Sequence, residues 1–307
     1  MRIPHGGYTL SLGDKLLKAR TSDVHGFLPQ ELLSFSLPAR RTHDTVWERH
    51  NGKYTFTVTA GTIKDLDGSL LTELPSGKYA RAALLFLFTQ AKFTNNAQVS
   101  IDQNYRAFTT LLGMEWQGVK RSKEALKQLM LVSSATFTII EQTIDETTGE
   151  EHYVDTGSRF SESMDLWALD GRTQMSNDQQ STVTLSPMMM DLLKRAAPLN
   201  IQAWQWILRN SKSSMALDIY AWLCGRLFRC NGPARVTWVQ LYDQFGSTAP
   251  MKRFKQHFRA GLSVALLVYP EAHITEDTGL NKVKGFKGFH LRPSPDPRDS
   301  ALPEDKN

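Results

Sequence analysis

The sequence predicts an α+β fold made of two tandem units, and three observations carry that expectation. The order helix, strand, helix, basic helix, strand can be read twice along the 307 residues. In each copy a glycine, Gly113 or Gly246, stands just before the basic helix, where a helix ends in a left-handed residue. Stretches of period two (Tyr54, Phe56 and Val58 against Thr55, Thr57 and Thr59) alternate with stretches of helical period. Helix, strand, helix, helix, strand, strand is the order of a winged helix, a helix-turn-helix that carries a β-hairpin.

Taken in order, residues 1–45 form a partly disordered N-terminal segment, with a short helical piece at 30–35 and a break at Leu37-Pro38. The first winged-helix domain is expected over 46–175. It opens with an alternating strand, 46–63, and turns at Asp65 to Gly68 and at Pro75-Ser76-Gly77. An apolar helix (79–93), a strand (98–101), a helix ending in Leu111-Leu112-Gly113, a basic helix (119–133) and a strand (136–144) follow. A long acidic hairpin occupies 141–170, and the polar run GRTQMSNDQQS at 171–181 is the expected domain boundary.

The second winged-helix domain, 182–292, has a helix at 214–229 and a strand at 235–236. Thr237 and Gln240 have the spacing of a capping box that starts the next helix, which ends at Gln244-Phe245-Gly246. The basic helix covers 251–266 and a strand 268–275. The tail, 293–307, carries Pro293, Pro295, Pro297 and Pro303 among charges and is expected to be disordered.

Charge separates the regions. The chain has 36 Lys+Arg against 31 Asp+Glu, a net charge of +5. Between 206 and 268 the acids are Asp218 and Asp243 alone, against Arg209, Lys212, Arg226, Arg229, Arg235 and the basic helix. Between 134 and 180 the bases are Arg159 and Arg172 alone, in a strongly acidic stretch. One region is composed to meet a polyanion and the other to avoid it.

The strongest candidate surface is the helix at 251–266. Phe254, Phe258, Leu262 and Leu266 fall four apart and form a core stripe, which leaves Lys252, Arg253, Lys255, Gln256 and Arg259 on the remaining face. A recognition helix lies in the major groove of double-stranded DNA, so Arg253 and Gln256 are candidates for base contacts, Arg suiting guanine and Gln adenine. Lys252, Lys255 and Arg259 are candidates for phosphate contacts. The plainer alternative is a solvated helix face. Lys282, Lys284 and Lys287, interleaved with glycine and Phe286, form a candidate wing that either lies along the minor groove or backbone or is an ordinary hairpin of solvated lysines. Lys120, Arg121, Lys123 and Lys127 mark a weaker first basic helix, whose tip meets phosphate or whose domain serves self-association.

Catalytic and cofactor signatures are missing from the sequence, and a non-enzymatic protein without metal or cofactor is expected. Gly77-Lys78 is followed by Tyr79 where a phosphate-binding loop needs Ser or Thr, and Thr72 stands where its first glycine belongs. The 8 histidines include no His-x-His pair, and no Cys/His spacing suits zinc. That argues against a nuclease or relaxase. Cys224 and Cys230, placed on different faces of one expected helix, read as free thiols. The N-terminus has no secretory apolar core, and the longest apolar run, 80–88, is broken by Arg81, so a cytoplasmic protein without a membrane span is expected.

Several segments resemble RepA-type plasmid replication initiators. They are SMALDIYAWL at 214–223, Thr237-Trp238 through Gln244-Phe245-Gly246, Phe254 through Phe258, Val268-Tyr269-Pro270 and Leu291-Arg292-Pro293-Ser294-Pro295. Val46-Trp47-Glu48-Arg49 through Val58-Thr59-Ala60-Gly61, and Leu74-Pro75 through Ala91, resemble the N-terminal half of that family. The resemblance spans 27–295. It implies binding of direct repeats (iterons) in a plasmid origin, opening of the origin, and contact with a host replication initiator and the replicative helicase. It also implies that the second domain reads the repeat while the first supports a possible homodimer or adds phosphate contacts. A winged-helix transcriptional regulator, an autorepressor without a replication role, is the alternative. The long acidic hairpin exceeds a minimal wing and sets this chain apart.

Overall fold

A computed structural model describes residues 25–65, 68–101, 108, 119–145, 147–166, 181–227, 230–246, 249–277 and 286–303; in the helix that begins at Val119 the side chains are described from Lys123 onward. The fold is mixed α+β, with seven described helices and small antiparallel sheets. Its first half runs β1 (His25–Pro29), a 3-10 turn (Glu31–Ser34), β2 (Val46–Asn51), β3 (Tyr54–Thr59), β4 (Thr62–Lys64), β5 (Leu70–Thr72), α1 (Gly77–Thr94) and β6 (Gln98–Ser100). Then come α2 (Val119–Ser134), β7 (Thr136–Ile144), β8 (Glu151–Arg159), β9 (Ser161–Asp165), β10 (Thr182–Leu185), α3 (Pro187–Leu193) and β11 (Ala196–Asn200). The second half continues α4 (Ile201–Asn210), α5 (Met215–Leu227), β12 (Ala234–Thr237), α6 (Trp238–Phe245), α7 (Met251–Val268), β13 (Ile274–Glu276), β14 (Gly288–Leu291) and a 3-10 turn (Pro297–Asp299).

The alternating stretch expected as one strand is a hairpin. Asn51 pairs with Tyr54, and Gly52 takes φ +60°, a conformation that closes a two-residue turn and reverses the chain between β2 and β3. β7 then lies on the other side of β3, with Thr59 opposite Thr136 and Tyr54 opposite Glu141, and β8 completes a four-stranded sheet ordered β2-β3-β7-β8.

β7 therefore does not form the wing expected of the first domain. The partners of β6 are β10 and, beyond it, β9: Val183 sits opposite both Val99 and Met164. Val99 and Val183 are buried, so the middle of each short strand supplies an apolar side chain to the core. The expected boundary at 171–181 thus joins two strands of one sheet; residues 167–180 lie outside the described ones. In the second half the sheet order β12-β14-β13 repeats β6-β10-β9.

Both ends of the described chain are packed, against expectation. β1 pairs with β11, and Leu28, Leu33 and Leu37 enter the core. Beyond Pro293, the Asp296 side chain accepts from the Arg298 N–H at 2.9 Å and starts the last 3-10 turn. The Tyr269 hydroxyl donates to the Pro295 carbonyl (2.5 Å) and Ser300 donates to Glu271 (2.6 Å). The prolines here fix a turn against α7's end and do not mark disorder.

One apolar cluster runs through both halves, from Phe86, Phe88, Phe137 and Phe160 to Trp204, Tyr220, Phe254, Phe258 and Phe289. α1 is buried at every position from Ala80 to Ala91. Arg81, which interrupts the apolar run in the sequence, is only 4% exposed. Its guanidinium donates to both carboxylate oxygens of Asp218 on α5 (2.5 and 2.6 Å) and to the carbonyls of Leu37 (2.7 Å), Pro38 (3.1 Å) and Gly77 (2.9 Å). A cation this deep is tolerable because its donors are met, and the pair fastens α1 to α5. α5 ends at Leu227, before Cys230, and both cysteines are free. Among the described residues no helix is long and apolar enough to cross a membrane, and no three His, Cys, Asp or Glu side chains gather as metal ligands.

Candidate nucleic-acid interface

The candidate surface is assembled on α6, the turn after it, and α7. Thr237 begins α6 with the anticipated capping box: the Gln240 N–H donates to the Thr237 hydroxyl (3.1 Å), and the Thr237 N–H donates to the Gln240 amide oxygen (2.8 Å). Gly246 follows at φ +40°, its N–H donating to the Tyr242 carbonyl at 2.8 Å. A Cβ there would lie 1.9 Å from the Arg49 Cζ, so any side chain at this position would displace that guanidinium. Arg49 comes from β2, its guanidinium 3.5 Å from the Trp47 ring centroid, and burial lowers it to about 10. Ser36 adds two bonds, its N–H to the Gln244 carbonyl (3.3 Å) and its hydroxyl to the Phe245 carbonyl (2.6 Å). Residues from the first half therefore hold the C-terminal end of α6, ahead of α7.

α7 is seated by aromatic contacts. Trp238 meets Phe254, Phe258 and Phe289 edge-on at centroid distances of 6.3, 5.6 and 4.9 Å, and Phe258 meets Phe245 at 5.3 Å. Phe254, Phe258, Leu262, Ala265 and Val268 are buried, so the core stripe continues past the expected end at 266. The strand expected at 268–275 is reduced to β13, since Val268 and Tyr269 are claimed by the helix and its cap.

The opposite face is bare. Lys252, Arg253, Gln256, His257, Arg259, Ala260 and Ser263 are exposed, and Lys255 is half-buried. Lys252, Gln256, Arg259 and Ser263 fall four, three and four residues apart, which places them in one row along the helix. The first turn of α7 contains no acid, although Lys252 and Arg253 stand beside the positive end of the helix dipole. That arrangement is unfavourable in the isolated chain and is relieved when an anion docks there.

Two of the four cations are already engaged. Lys255 Nζ lies 5.2 Å from the Trp238 ring centroid. Arg259 lies over the same ring at 5.1 Å and is held by Glu276 of β13, with Nε to Oε2 at 2.8 Å and Nη2 to Oε1 at 2.6 Å. Those bonds hold the Glu276 carboxyl below the usual carboxylate value and raise Arg259 above its own.

The other sequence candidates fall elsewhere. Lys287 is exposed at the start of β14, where its carbonyl accepts from the Trp238 N–H at 3.0 Å; Lys282 and Lys284 lie outside the described residues. Lys123 is exposed on α2, Lys127 pairs with Glu73 at 3.3 Å, and the side chains of Lys120 and Arg121 are outside the described ones. Sequence reasoning passed over Glu276 and His257, and counted Arg235 only in the charge of its region. Arg235 stands over the Phe286 ring at 5.8 Å, at the base of the expected wing. The i, i+4 step from Arg253 marked His257, but nothing local marked Glu276, which lies seventeen residues beyond Arg259.

No protein-family model matches the chain, and no curated protein matches it in sequence. A crystal structure of domain 2 and domain 3 of RctB shares its fold at 12% identity, with a TM-score of 0.54 over 88% of this chain and 99% of that one. A second structure of RctB domains 2–3 aligns at 10% identity with a TM-score of 0.48, over 87% of this chain and 97% of the other. The two halves, with their repeated strand order, are therefore the fold of RctB domains 2 and 3.

Proposed function

We propose that this chain is a replication initiator: a non-enzymatic, sequence-specific double-stranded DNA-binding protein that recognises direct repeats in a plasmid origin through two winged-helix units. The observation that carries the reading is the outer face of α7, where Lys252, Arg253 and Gln256 stand exposed with no side-chain partner among the described residues, on a helix anchored by aromatic packing. The sheet order β12-β14-β13 beside it supports α7 as the recognition helix and the stretch 279–288 as the wing. The likeness to RctB domains 2 and 3 and the sequence resemblance to RepA-type initiators support the replication role.

In this reading Arg253 and Gln256 meet base edges in the major groove, Lys252 and Lys255 meet phosphates, and Lys282, Lys284 and Lys287 follow the backbone beside it. Lys120, Arg121 and Lys123, in the first turns of α2, add phosphate contacts from the first unit. A host initiator, the replicative helicase and a second copy of the chain are the protein partners.

Footprinting on the DNA flanking the gene tests this reading. Regularly spaced protected repeats are expected, and Arg253→Ala should relax selectivity by about 1–3 kcal/mol at one base position. Protection with no repeat, or an origin clone that is maintained without the protein, would remove the initiator role and leave a regulator.

A further inference from the structure

We infer that Arg259 is a guanine-reading residue and that Glu276 is its positioning residue, an assignment that rests on the DNA-binding reading and refines it. The geometry of the guanidinium is the reason. Of its five N–H donors, Glu276 engages Nε and one on Nη2, the side-on pair. The end-on pair, on Nη1 and Nη2, is left parallel and half-exposed, since the Arg259 side chain retains 49% of its accessibility. That pair matches the O6 and N7 acceptors on the major-groove edge of guanine. Arg259 also stands in the row of Lys252 and Gln256, on the side of α7 facing away from the Phe254 and Phe258 stripe.

Charge separates this role from a phosphate contact. A phosphate brought against the free end of Arg259 also approaches the Glu276 carboxylate, whose repulsion offsets much of the attraction. A base edge is neutral and carries no such penalty. Glu276 and the face of Trp238 restrict the guanidinium before DNA arrives, so less side-chain freedom is lost on binding. Lys252, which has no acid in its turn, is the better phosphate partner in that respect.

The test uses the full chain and a random-sequence duplex library. The wild type should enrich a motif with an invariant guanine that disappears, alone among its positions, from the motifs of Arg259→Lys and Glu276→Gln. Replacing that guanine by 7-deazaguanine should weaken wild-type binding about 10-fold and leave Arg259→Lys unaffected, with the salt dependence of every variant unchanged. A motif that keeps every guanine in Arg259→Lys, with a shallower salt slope, makes Arg259 a phosphate contact and overturns the assignment. Undiminished wild-type binding to every 7-deazaguanine duplex overturns it without any variant. A wild type that enriches no motif defeats the DNA-readout reading itself, a different result from an altered motif.

Discussion

The two three-stranded sheets repeat each other's strand order, yet the long helices associated with them are buried to different depths. α2 is enclosed on two sides. Ala125, Leu129 and Val132 join the main core, while Leu126, Met130 and Leu131 form a second cluster with Ile63 of β4. α7 buries one stripe and leaves the other side open as far as Ser263. On α2 the second side is taken by β4, whose Ile63 packs on Leu126, Met130 and Leu131, and by β9 beside it. Similar strand order thus leaves one helix exposed along one face as far as Ser263 and the other, among the described residues, exposed at Lys123 and Glu124, so topology alone does not decide how much of each helix faces solvent.

The most disruptive way to test the relation of the two units is Arg81→Ala. It strands the Asp218 carboxylate beside a small apolar cavity of about 30 Å³ lined by Leu28, Leu33, Phe35 and Trp204. A loss of about 3–5 kcal/mol is expected in denaturant unfolding. If both halves depend on this pair, near-ultraviolet and far-ultraviolet signals should still change together.

Next in size, replacing Lys252, Arg253 and Gln256 together by Ala should lower affinity for the origin repeat by about 100-fold or more in fluorescence anisotropy at fixed salt. Lys123→Ala should cost no more than about threefold, the effect of one phosphate contact. Equal losses from the two helices would erase the distinction drawn between α2 and α7.

The smallest effect is a pH dependence confined to the second unit. The Glu276 carboxyl is depressed by its bonds to Arg259, so the pair's contribution is present above the ordinary carboxylate value of 4.5 and is lost as pH falls through the lower value in the folded state. Because Arg259 is half-exposed, that contribution is about 1 kcal/mol or less. Melting temperatures of the wild type and Glu276→Gln should differ at pH 6 and converge near pH 3.

Local chemistry made the second unit legible in the sequence. The capping box at Thr237, the glycine after α6, and the apolar spacing of α7 are each set within a few residues, and all three stand in the structure. Pairings between distant segments were not legible. β7 has an alternating pattern whether it lies beside β3 or beside β6, and sequence periodicity cannot choose its neighbour. The Gly52 turn was hidden because the alternation continues across it. The same limit applied to the candidate surface: exposure of Lys252, Arg253 and Gln256 followed from helical spacing, whereas the capture of Lys127 by Glu73 and of Arg259 by Glu276 depends on strands brought from elsewhere.

The burial of Arg81 against Asp218 also bears on mechanics. The two units share one core and are joined by that pair, so on the DNA-binding reading proposed above they would meet a duplex as one body rather than as two independently tethered grips. Where both grips engage, any mismatch with the helical phase of the DNA falls on the softer body. The duplex twists or bends, at a cost of order 1–6 kcal/mol for a bend of 40–90° over 20–30 base pairs. On that reading binding would convert into torque on the duplex, and the flexible base steps of the site would set how much of it is absorbed.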